Sequence, residues 1–316
     1  MIAPSIPAPG LEPNTYSPQG TPFVRACPDS RAAAGFVQCS NLERVAQRRA
    51  ILALYTTETI LDIHHWNPKL FSFRTTRSPG LRFENGQFVM LGLQVGDRRV
   101  VRAYSIASAN YEECLEFYSI NVPGGALTSR LQDVQPGASL LISSKPTGTL
   151  VLRDLRPGKR LWLLATGTGV APFMSIIKDP ATYEAFEQIV LLRGARLCSD
   201  HGYADSVLQA LREDEYLGDS VKAQLLDYPC VSREASQHPG RVTDAIVAGR
   251  VFADLGIGGL DPQTDRVMIC GNIRMLADCR KLLDERGFDI SPQIGVCGDY
   301  VIERAFSESF ERDAAA

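Results

Sequence analysis

The hydrophobic pattern of the chain changes its period at about residue 157, and this change limits the possible folds more than any other feature. Before it, short apolar segments follow one another, with turn residues such as Gly96-Asp97 and Pro136-Gly137 between them. This spacing predicts a small antiparallel β-barrel that starts near residues 51–66. The predicted strands are residues 88–95, 100–106, 115–122, 139–143 and 149–152, and one helix, 126–132, is predicted among them.

After Arg156-Pro157-Gly158, apolar segments of strand length alternate with segments of helix length. Such alternation predicts an α/β domain with a doubly wound parallel sheet. The predicted strands are residues 161–165, 189–192, 222–227 and 266–269, and the helices that follow them begin at Pro172 or span 203–213, 241–248 and 275–286. The chain is therefore expected to have two domains of different architecture.

Composition at the N-terminus helps to set the expected domain boundaries. Of the 19 prolines, seven lie in the first 28 residues, so residues 1–40 are predicted to be a disordered leader. The barrel domain is assigned to residues 41–156, with a short helix at 41–53. The α/β domain is assigned to residues 157–299, and a C-terminal tail to 300–316.

Charge, hydropathy and cysteine spacing argue against several classes of function. Lys and Arg total 33 against 36 for Asp and Glu, so no general basic field predicts nucleic-acid binding. The apolar stretches are much shorter than the ~20 residues of a membrane span, and no secretory signal is recognised, so a cytoplasmic protein is expected. The eight cysteines lack Cys-x-x-Cys spacing and predict neither a zinc site nor an iron–sulfur centre.

A glycine turn follows the first predicted strand of the α/β domain. The strand runs into Thr166-Gly167-Thr168-Gly169, and Pro172 opens the next helix, so backbone N–H groups are expected at a positive helix end. This arrangement suits a phosphate or pyrophosphate. A Thr-Gly-Thr-Gly turn alone is equally consistent with an ordinary tight connection.

Two segments of the predicted barrel carry groups that suit a flavin nucleotide. Arg102-Ala103-Tyr104-Ser105 supplies a guanidinium, an aromatic ring and a hydroxyl at the end of a strand. Arg102 and Tyr104 share a face of that strand, and alone they are also consistent with an exposed pair. A second glycine turn, Pro123-Gly124-Gly125-Ala126-Leu127-Thr128-Ser129, offers N–H groups and hydroxyls that suit a pyrophosphate.

Four motifs in this order resemble those of the bacterial ferredoxin/flavodoxin–NADP⁺ reductases. They are Arg-x-Tyr-Ser, Gly-Gly-x-Leu-Thr-Ser, Ala-Thr-Gly-Thr-Gly-x-Ala-Pro and Cys-Gly-Asn, and they span roughly residues 55 to 306. Ser105-Ile106-Ala107-Ser108 and the final Tyr-Val-Ile-Glu-Arg-Ala-Phe at 300–306 are similar to the branch whose chain continues past the flavin. The resemblance implies an antiparallel β-barrel FAD domain followed by an α/β doubly wound parallel-sheet NADP domain.

The resemblance also implies roles for the motif residues in the barrel. Tyr104 would pack on the isoalloxazine, Arg102 would pair with the FAD phosphate, and Ser105 would approach flavin N5. The other residues implied at this cofactor site are Ile120, Gly125, Leu127 and Thr128.

In the α/β domain, the resemblance places the glycine turn against NADP(H) and Cys270 beside the hydride path. The residues implied at the nucleotide are Thr166, Gly167, Thr168, Gly169, Gly271 and Asn272. A buried thiol without a catalytic role remains the alternative for Cys270.

Three arginines are expected to select NADP(H) over NAD(H). Arg196 follows the second strand of the predicted sheet, Ser232-Arg233 follows the third, and Arg241 begins the next helix. The carboxyl ends of parallel strands meet at the ligand edge of such a sheet, and the forked guanidinium suits a 2′-phosphate.

The C-terminal residues are expected to cover the nicotinamide side of the flavin. Ala305 would be a small and easily displaced cover, and Phe306 would stack on the adenine. Glu303 is interpreted as an exposed carboxylate in preference to a proton relay. The chain departs from the family's pattern in its long leader, in Arg193 where His is usual, and in residues 307–316, which would gate the site if they fold over it.

The expected activity is electron exchange between NADP(H) and ferredoxin or flavodoxin through FAD, with hydride transfer to flavin N5 and then single-electron transfers. A monomer is expected. The arginines expected to dock these acidic carriers are Arg74, Arg77, Arg82, Arg98, Arg99 and Arg130. Two alternatives remain: the reductase component of an oxygenase, which the missing cysteine cluster disfavours, and a non-catalytic flavin-binding redox sensor gated by the tail.

Overall fold

The computed structural model describes residues 54–305. The predicted leader, the predicted helix at 41–53 and the residues from Phe306 onward lie outside this range. The first part of the described chain contains the strands β1 (Tyr55–His65), β2 (Leu70–Thr75), β3 (Phe88–Val95), β4 (Arg98–Ser105), β5 (Leu115–Ile120) and β6 (Ser139–Ser143), and the short helix α1 (Thr128–Leu131).

These six strands form one antiparallel sheet that curls into a half-barrel. The strand order is β4-β3-β6-β1-β2-β5, and an isolated antiparallel bridge between Ile106 and Phe117 joins the chain after β4 to β5. The interior is filled by buried apolar side chains, among them Phe73, Phe117 and Ile142. The predicted antiparallel β architecture of the first domain is confirmed.

The predicted strand at residues 149–152 is wrong. Thr147 forms an isolated bridge with Phe88, and the chain then enters a 3₁₀ turn at Leu152–Asp154. Leu150 is fully buried, but it belongs to the core that includes Ile176 of the α/β domain. The apolar character of this segment therefore reflects packing between the two domains, and not strand pairing.

The second part of the described chain alternates strands and helices. In chain order it contains β7 (Arg160–Thr166), α2 (Ala171–Ile177), α3 (Pro180–Ala185), β8 (Gln188–Ala195), α4 (Gly202–Arg212), α5 (Gly218–Gln224), β9 (Leu225–Val231), α6 (Val242–Val247), α7 (Arg250–Leu255), β10 (Asp265–Gly271), α8 (Ile273–Asp284) and β11 (Tyr300–Arg304). The predicted strand at 222–227 starts too early, because α5 continues through Gln224 and buries Val221.

The five strands of this part form a parallel sheet in the order β11-β10-β7-β8-β9. Alternate residues of β7 pack on opposite faces: Leu161 and Leu163 lie in the core with α2 and α4, whereas Trp162 and Leu164 lie in the core with α6 and α8. Both faces are covered, which explains the continuous apolar run of β7 and confirms the doubly wound sheet.

The parallel sheet extends past the predicted domain boundary at residue 299. Tyr300–Arg304 is a strand, β11, that pairs in parallel with β10, and Val267 lies opposite Tyr300 in the register. Residues assigned to the tail therefore complete the sheet.

Within residues 54–305, no helix combines the length and hydropathy needed to cross a membrane.

A buried ion pair fixes the start of β7 against the start of β10. The Arg160 guanidinium donates to both carboxylate oxygens of Asp265, at 2.9 Å and 2.7 Å, and Asp265 is fully buried. The backbone N–H of Asp261 also donates to this carboxylate, at 2.9 Å. Removing one partner of such a pair leaves a buried charge without compensation, which is costly.

We predict that Asp265→Asn lowers the free energy of unfolding by about 3 kcal/mol, because Arg160 loses its charged acceptor. Urea unfolding followed by circular dichroism measures this change. The matched control is Asp261→Asn, an exposed carboxylate whose Oδ1 accepts from the nearby Gln263 N–H at 2.9 Å, and it should cost less than about 1 kcal/mol. Equal losses in the two variants would contradict the structural importance of the buried pair.

Candidate functional site

The glycine turn after β7 lies directly against the end of β10. A Cβ atom on Gly169 would lie 2.3 Å from the carbonyl oxygen of Cys270, and one on Gly271 would lie 2.2 Å from Oγ1 of Thr166. Both positions therefore require glycine. Gly167 has a φ of +55°, and a Cβ there would meet nothing within 4 Å, so this part of the turn faces open space.

Thr166 and Asn272 connect the two strand ends by hydrogen bonds. Oγ1 of Thr166 accepts from the backbone N–H and from Nδ2 of Asn272, each at 3.2 Å. Oδ1 of Asn272 accepts from the N–H of Met275 and so caps α8. The half-exposed Thr168 lies in the same turn. The structure thus brings together the two α/β motifs that the sequence analysis assigned to the nucleotide.

Cys270 is fully buried at the end of β10. Burial raises the pKa of its thiol well above the usual range, and the nearby Glu303 carboxylate acts in the same direction. The thiol is therefore kept protonated, with no solvent exposure. This environment matches the buried strand-end thiol that the sequence analysis retained as an alternative.

The last described residues reach the same site through β11. The N–H of Ala305 donates to the carbonyl of Gly271 at 3.1 Å, which places Ala305 beside the end of β10. Phe306, predicted to stack on the adenine, lies outside the described residues.

Glu303 is not the exposed carboxylate that the sequence analysis expected. Its Oε2 accepts from the N–H of Thr149 at 3.1 Å and lies 2.8 Å from the position of a Cβ on Gly148. Burial raises the pKa of Glu303 to about 7, although the hydrogen bond from Thr149 favours the charged form. The sequence carries no signal for this burial, because it arises from contact between β11 and a distant loop of the barrel.

Tyr104 points into the barrel and its ring is held on several sides. It is 8% exposed, and its edges meet the rings of Phe73 and Phe117 at centroid distances of 6.4 Å and 6.3 Å. Its hydroxyl hydrogen-bonds to Oγ of Ser119 at 3.1 Å, and burial raises its pKa to about 12.

The neighbours of Tyr104 are less enclosed. Arg102 is half-buried and its Nη1 donates to the carbonyl of Val101 at 2.9 Å. Ser105 is half-buried at the end of β4, opposite Phe88 of β3. The Arg–Tyr pair is therefore not an ordinary exposed pair, because its aromatic member is part of the barrel core.

The second glycine turn, residues 122–129, has a more closed structure than its sequence suggests. Oγ1 of Thr128 already accepts from the N–H of Val122 at 3.1 Å, and a Cβ on Gly125 would lie 2.7 Å from this oxygen. Leu127 is buried in the barrel core. The Leu127 side chain therefore belongs to the barrel core and is not exposed at this turn.

Asn121 is a polar residue at this turn that the sequence analysis missed. It directly follows the half-buried Ile120, and its Oδ1 atom is buried with no hydrogen-bond partner among residues 54–305. Buried acceptors are rarely left unpaired. A ligand hydroxyl or N–H group would satisfy it.

The arginines predicted to bind a 2′-phosphate lie in two loops that are hydrogen-bonded to each other. The N–H and Oγ of Ser232 both donate to the carbonyl of Ala195 at 3.1 Å, and the N–H of Arg233 donates to the carbonyl of Arg196 at 3.0 Å. Arg196, Arg233 and Arg241 are exposed, and no ion pair among residues 54–305 involves them. Their charge is available to an anion.

Arg193 differs from these three arginines because it is buried and neutralised. Its guanidinium pairs with Asp205 and with Asp227, and the Nε···Oδ1 distance to Asp227 is 2.7 Å. The strong pairing raises its pKa despite the opposing effect of burial. Arg193 is therefore a structural residue under the carboxyl end of β8.

The glycine turn of the α/β domain also meets the barrel. The segment Gly167–Val170 contacts β5, and a small cavity at this junction is lined by Tyr118, Gly167, Ala195 and His201. The open face of the turn therefore lies at the boundary of the two domains.

No cluster of His, Cys, Asp and Glu that could hold a metal ion is found within residues 54–305.

Two family models match the chain in the order expected from its folds. The one described as an oxidoreductase FAD-binding domain covers residues 60–151, and the one described as an oxidoreductase NAD-binding domain covers residues 163–281. The barrel and the α/β domain are thus an FAD-binding and an NAD-binding domain.

Similar proteins cover nearly the whole described range. The ferredoxin–NADP reductase of Pseudomonas aeruginosa is 56% identical over 80% of this chain and 98% of its own length. The flavodoxin/ferredoxin–NADP reductase of Rhodobacter capsulatus is 44% identical over 79% of this chain and 92% of its own length. A structure of a ferredoxin–NADP⁺ reductase from Neisseria gonorrhoeae with bound FAD and NADP aligns with a TM-score of 0.72 at 29% identity, over 80% of this chain and 99% of that one. The chain belongs to the family of ferredoxin–NADP reductases.

Proposed function

We propose that the chain exchanges electrons between NADP(H) and ferredoxin or flavodoxin through bound FAD. The observation that carries this proposal is the meeting of the Gly167–Val170 turn with the end of β10 on one side and with β5 of the barrel on the other. This junction places the proposed nucleotide turn beside the flavin domain. The reaction is inferred from the names of the similar reductases, and the residues proposed to take part in it are inferred from the site.

The barrel fits a flavin nucleotide through groups already oriented by the protein. Tyr104 would present a ring whose hydroxyl is fixed by Ser119, and Arg102 would supply the charge for a phosphate. The unpaired Oδ1 of Asn121 gives a ligand a buried acceptor. The remaining residues proposed to hold FAD are Ser105, Ile120, Gly125, Leu127 and Thr128.

The α/β domain fits a pyridine nucleotide at the carboxyl ends of its strands. Gly167 leaves space for a ligand, and the bond from Asn272 to Thr166 holds the turn in place. Arg196, Ser232, Arg233 and Arg241 would hold the 2′-phosphate. The other residues proposed at this nucleotide are Thr168, Gly169, Cys270 and Gly271.

The chain's own part in the reaction is to orient two ligands and to limit access of water. FAD supplies the conversion between hydride and single-electron transfer when it is bound. The glycines let backbone approach the nucleotide closely, and Ala305, anchored on Gly271, closes the site with a small side chain. Glu303, whose pKa burial raises to about 7, lies opposite Cys270 in the strand register, one residue before the end of β10.

An anaerobic stopped-flow experiment tests the proposed function directly. The purified flavoprotein is mixed with NADPH or, separately, with NADH, and flavin absorbance is followed. Fast bleaching by NADPH with slow bleaching by NADH, followed by reoxidation with ferredoxin or flavodoxin, is the expected result. A bound flavin that neither nucleotide reduces would instead support the non-catalytic sensor alternative. The names of the similar proteins favour neither this alternative nor the reductase component of an oxygenase.

We predict that Arg233→Ala combined with Arg241→Ala raises the KM for NADPH by about 100-fold and leaves that for NADH within about threefold. Each lost charge-assisted contact to the 2′-phosphate costs about 1.5 kcal/mol, and NADH lacks that group. Steady-state kinetics with both nucleotides measure the effect. The matched control is Arg280→Ala, which removes an exposed arginine of α8 that pairs with Asp284. Equal losses with NADPH and NADH would refute the assignment.

We predict that Glu303 makes the fold less stable as the pH rises from about 4.5 to about 7. The pKa of Glu303 is about 7 in the folded chain and 4.5 ordinarily, so the folded state binds more protons in this window and loses stability as they leave. Glu303→Gln should remove a fall of up to about 3 kcal/mol in unfolding free energy, measured by urea unfolding across this range.

The control for this measurement is Glu285→Gln, an exposed carboxylate directly after α8 that pairs with Lys281. Its pH profile should match that of the unsubstituted protein. An unchanged profile in Glu303→Gln would show that this carboxylate has the same pKa in the folded and the unfolded chain.

The docking surface for the carrier is proposed around β4 and α1. Arg98 and Arg130 are exposed, and Arg99 lies over the ring of Tyr55. Arg74 is paired with Asp62, which reduces its contribution. The guanidinium groups of Arg77 and Arg82 bind backbone carbonyls. The monomeric state and the cytoplasmic location stay predictions.

A further inference from the structure

The loop that carries Arg196 is bound to the barrel as well as to its own domain. This arginine loop, residues 196–201, contains a 3₁₀ turn at Cys198–His201. Within it, Oδ2 of Asp200 accepts from the N–H of Leu197 at 3.1 Å. The other carboxylate oxygen of Asp200, Oδ1, accepts from Nδ2 of Asn67 in the barrel at 3.1 Å. One side chain thus links the loop to the flavin domain.

Asn67 is itself fixed in a single orientation. It lies between β1 and β2, and its Oδ1 accepts from the N–H groups of Lys69 and Leu70, each at 2.9 Å. Its Nδ2 also donates to the carbonyl of Ser199 at 3.4 Å. Because both ends of the amide are engaged, Asn67 cannot turn away from Asp200 without breaking the β1–β2 turn.

Aromatic rings pack at the same junction between the barrel and the α/β domain. Tyr203, at the start of α4, stacks on Tyr118 of β5 with centroids 4.3 Å apart, and Trp66 meets its edge at 5.5 Å. The hydroxyl of Tyr118 donates to the backbone carbonyl of Asp200 at 3.4 Å. The arginine loop is therefore held to the barrel by hydrogen bonds, and the start of the following helix α4 packs on aromatic rings of the barrel.

Other contacts between the domains involve different parts of the α/β domain. Ser175 of α2 donates to Oδ1 of Asn85, and Thr149 donates through Oγ1 to the carbonyl of Ile302 in β11. These contacts fix the domains without touching the arginine loop. The Asn67–Asp200 bond has a different effect, because Asp200 also determines the backbone next to Arg196.

We propose that Asn67 and Asp200 are positioning residues that couple nucleotide binding at the arginine loop to the alignment of the flavin barrel. This inference rests on the proposed binding of NADP(H) at Arg196, Arg233 and Arg241. A 2′-phosphate that orders Arg196 also orders Leu197 and Asp200, and Asp200 transmits the restraint to the β1–β2 turn. Nucleotide binding then favours the domain arrangement that hydride transfer requires.

Two variants isolate the bond between Asn67 and Asp200, because both lose the weaker donation to the carbonyl of Ser199 and they differ only at this bond. Asn67→Asp keeps an oxygen for the N–H groups of Lys69 and Leu70, but it replaces the donor by a carboxylate oxygen facing Asp200. Combining Asn67→Asp with Asp200→Asn restores one donor and one acceptor in the reverse direction. The matched control is Asn110→Asp, the same change at an exposed asparagine of the barrel.

Two measurements on the full-length FAD-bound protein test the coupling. The first is the rate of flavin reduction at saturating NADPH, which should fall about 5- to 15-fold in Asn67→Asp and recover to within about threefold in the exchanged pair. The affinity for adenosine 2′,5′-bisphosphate, which lacks the nicotinamide half, should change by less than about threefold, because Asp200 still accepts from Leu197.

The second measurement is amide hydrogen exchange at residues 67–71 with and without adenosine 2′,5′-bisphosphate. Binding should slow exchange there about threefold in the unsubstituted protein and in the exchanged pair, and have no effect in Asn67→Asp. This readout does not depend on activity, whereas a purely structural role of Asn67 would change exchange equally with and without the nucleotide.

The outcomes separate this inference from the function on which it rests. If NADPH fails to reduce the flavin of the unsubstituted protein, the proposed function fails, and the exchange measurement alone then decides the coupling. Unchanged reduction in Asn67→Asp, a loss that the exchanged pair does not rescue, or protection of residues 67–71 that persists in Asn67→Asp would each overturn the coupling.

Discussion

The close approach of the ends of β7 and β10 is the constraint on which the rest of the site depends. At Gly169 and Gly271 the neighbouring backbone or hydroxyl lies where a Cβ would stand, at 2.3 Å and 2.2 Å. With side chains absent there, the turn after β7 packs on β10, and its remaining face at Gly167 stays open. β11 pairs in parallel with β10, and this pairing places Ala305, the residue after β11, beside Gly271 at the end of β10.

Five arginines of the α/β domain near the strand ends form two sets with opposite surroundings. Arg160 and Arg193 are buried or nearly so, and a carboxylate neutralises the charge of each. Arg160 makes bidentate contacts with Asp265, and Arg193 makes bidentate contacts with Asp227. Arg196, Arg233 and Arg241 are exposed at strand ends without an ion pair in the described range. Only the second set keeps charge for a ligand, because the field of the buried set is cancelled locally.

The sequence predicted the α/β domain better than the barrel, for a physical reason. β7 is buried on both faces and reads as a continuous apolar run, whereas β1 exposes alternate residues such as Thr57 and Thr59 and carries the polar Glu58 on its buried side. Motif residues at strand ends were placed together correctly, because parallel strands share one edge. Contacts between distant segments had no signal: the burial of Glu303 depends on Thr149, and the link from Asn67 to Asp200 spans 133 positions.

The contacts that join the domains lie on both sides of the proposed site. In the sheet order, β10 and β7 stand between β11 and β8. On the β11 side, Glu303 and the carbonyl of Ile302 bind Thr149 of the barrel; on the β8 side, Asp200 binds Asn67. Because restraints flank the ligand edge, the spacing between the flavin barrel and the glycine turn is set at the site itself. The short connection between Leu155 and Arg160, which joins the barrel to β7, therefore does not have to be rigid for the proposed FAD and NADP(H) sites to lie next to each other.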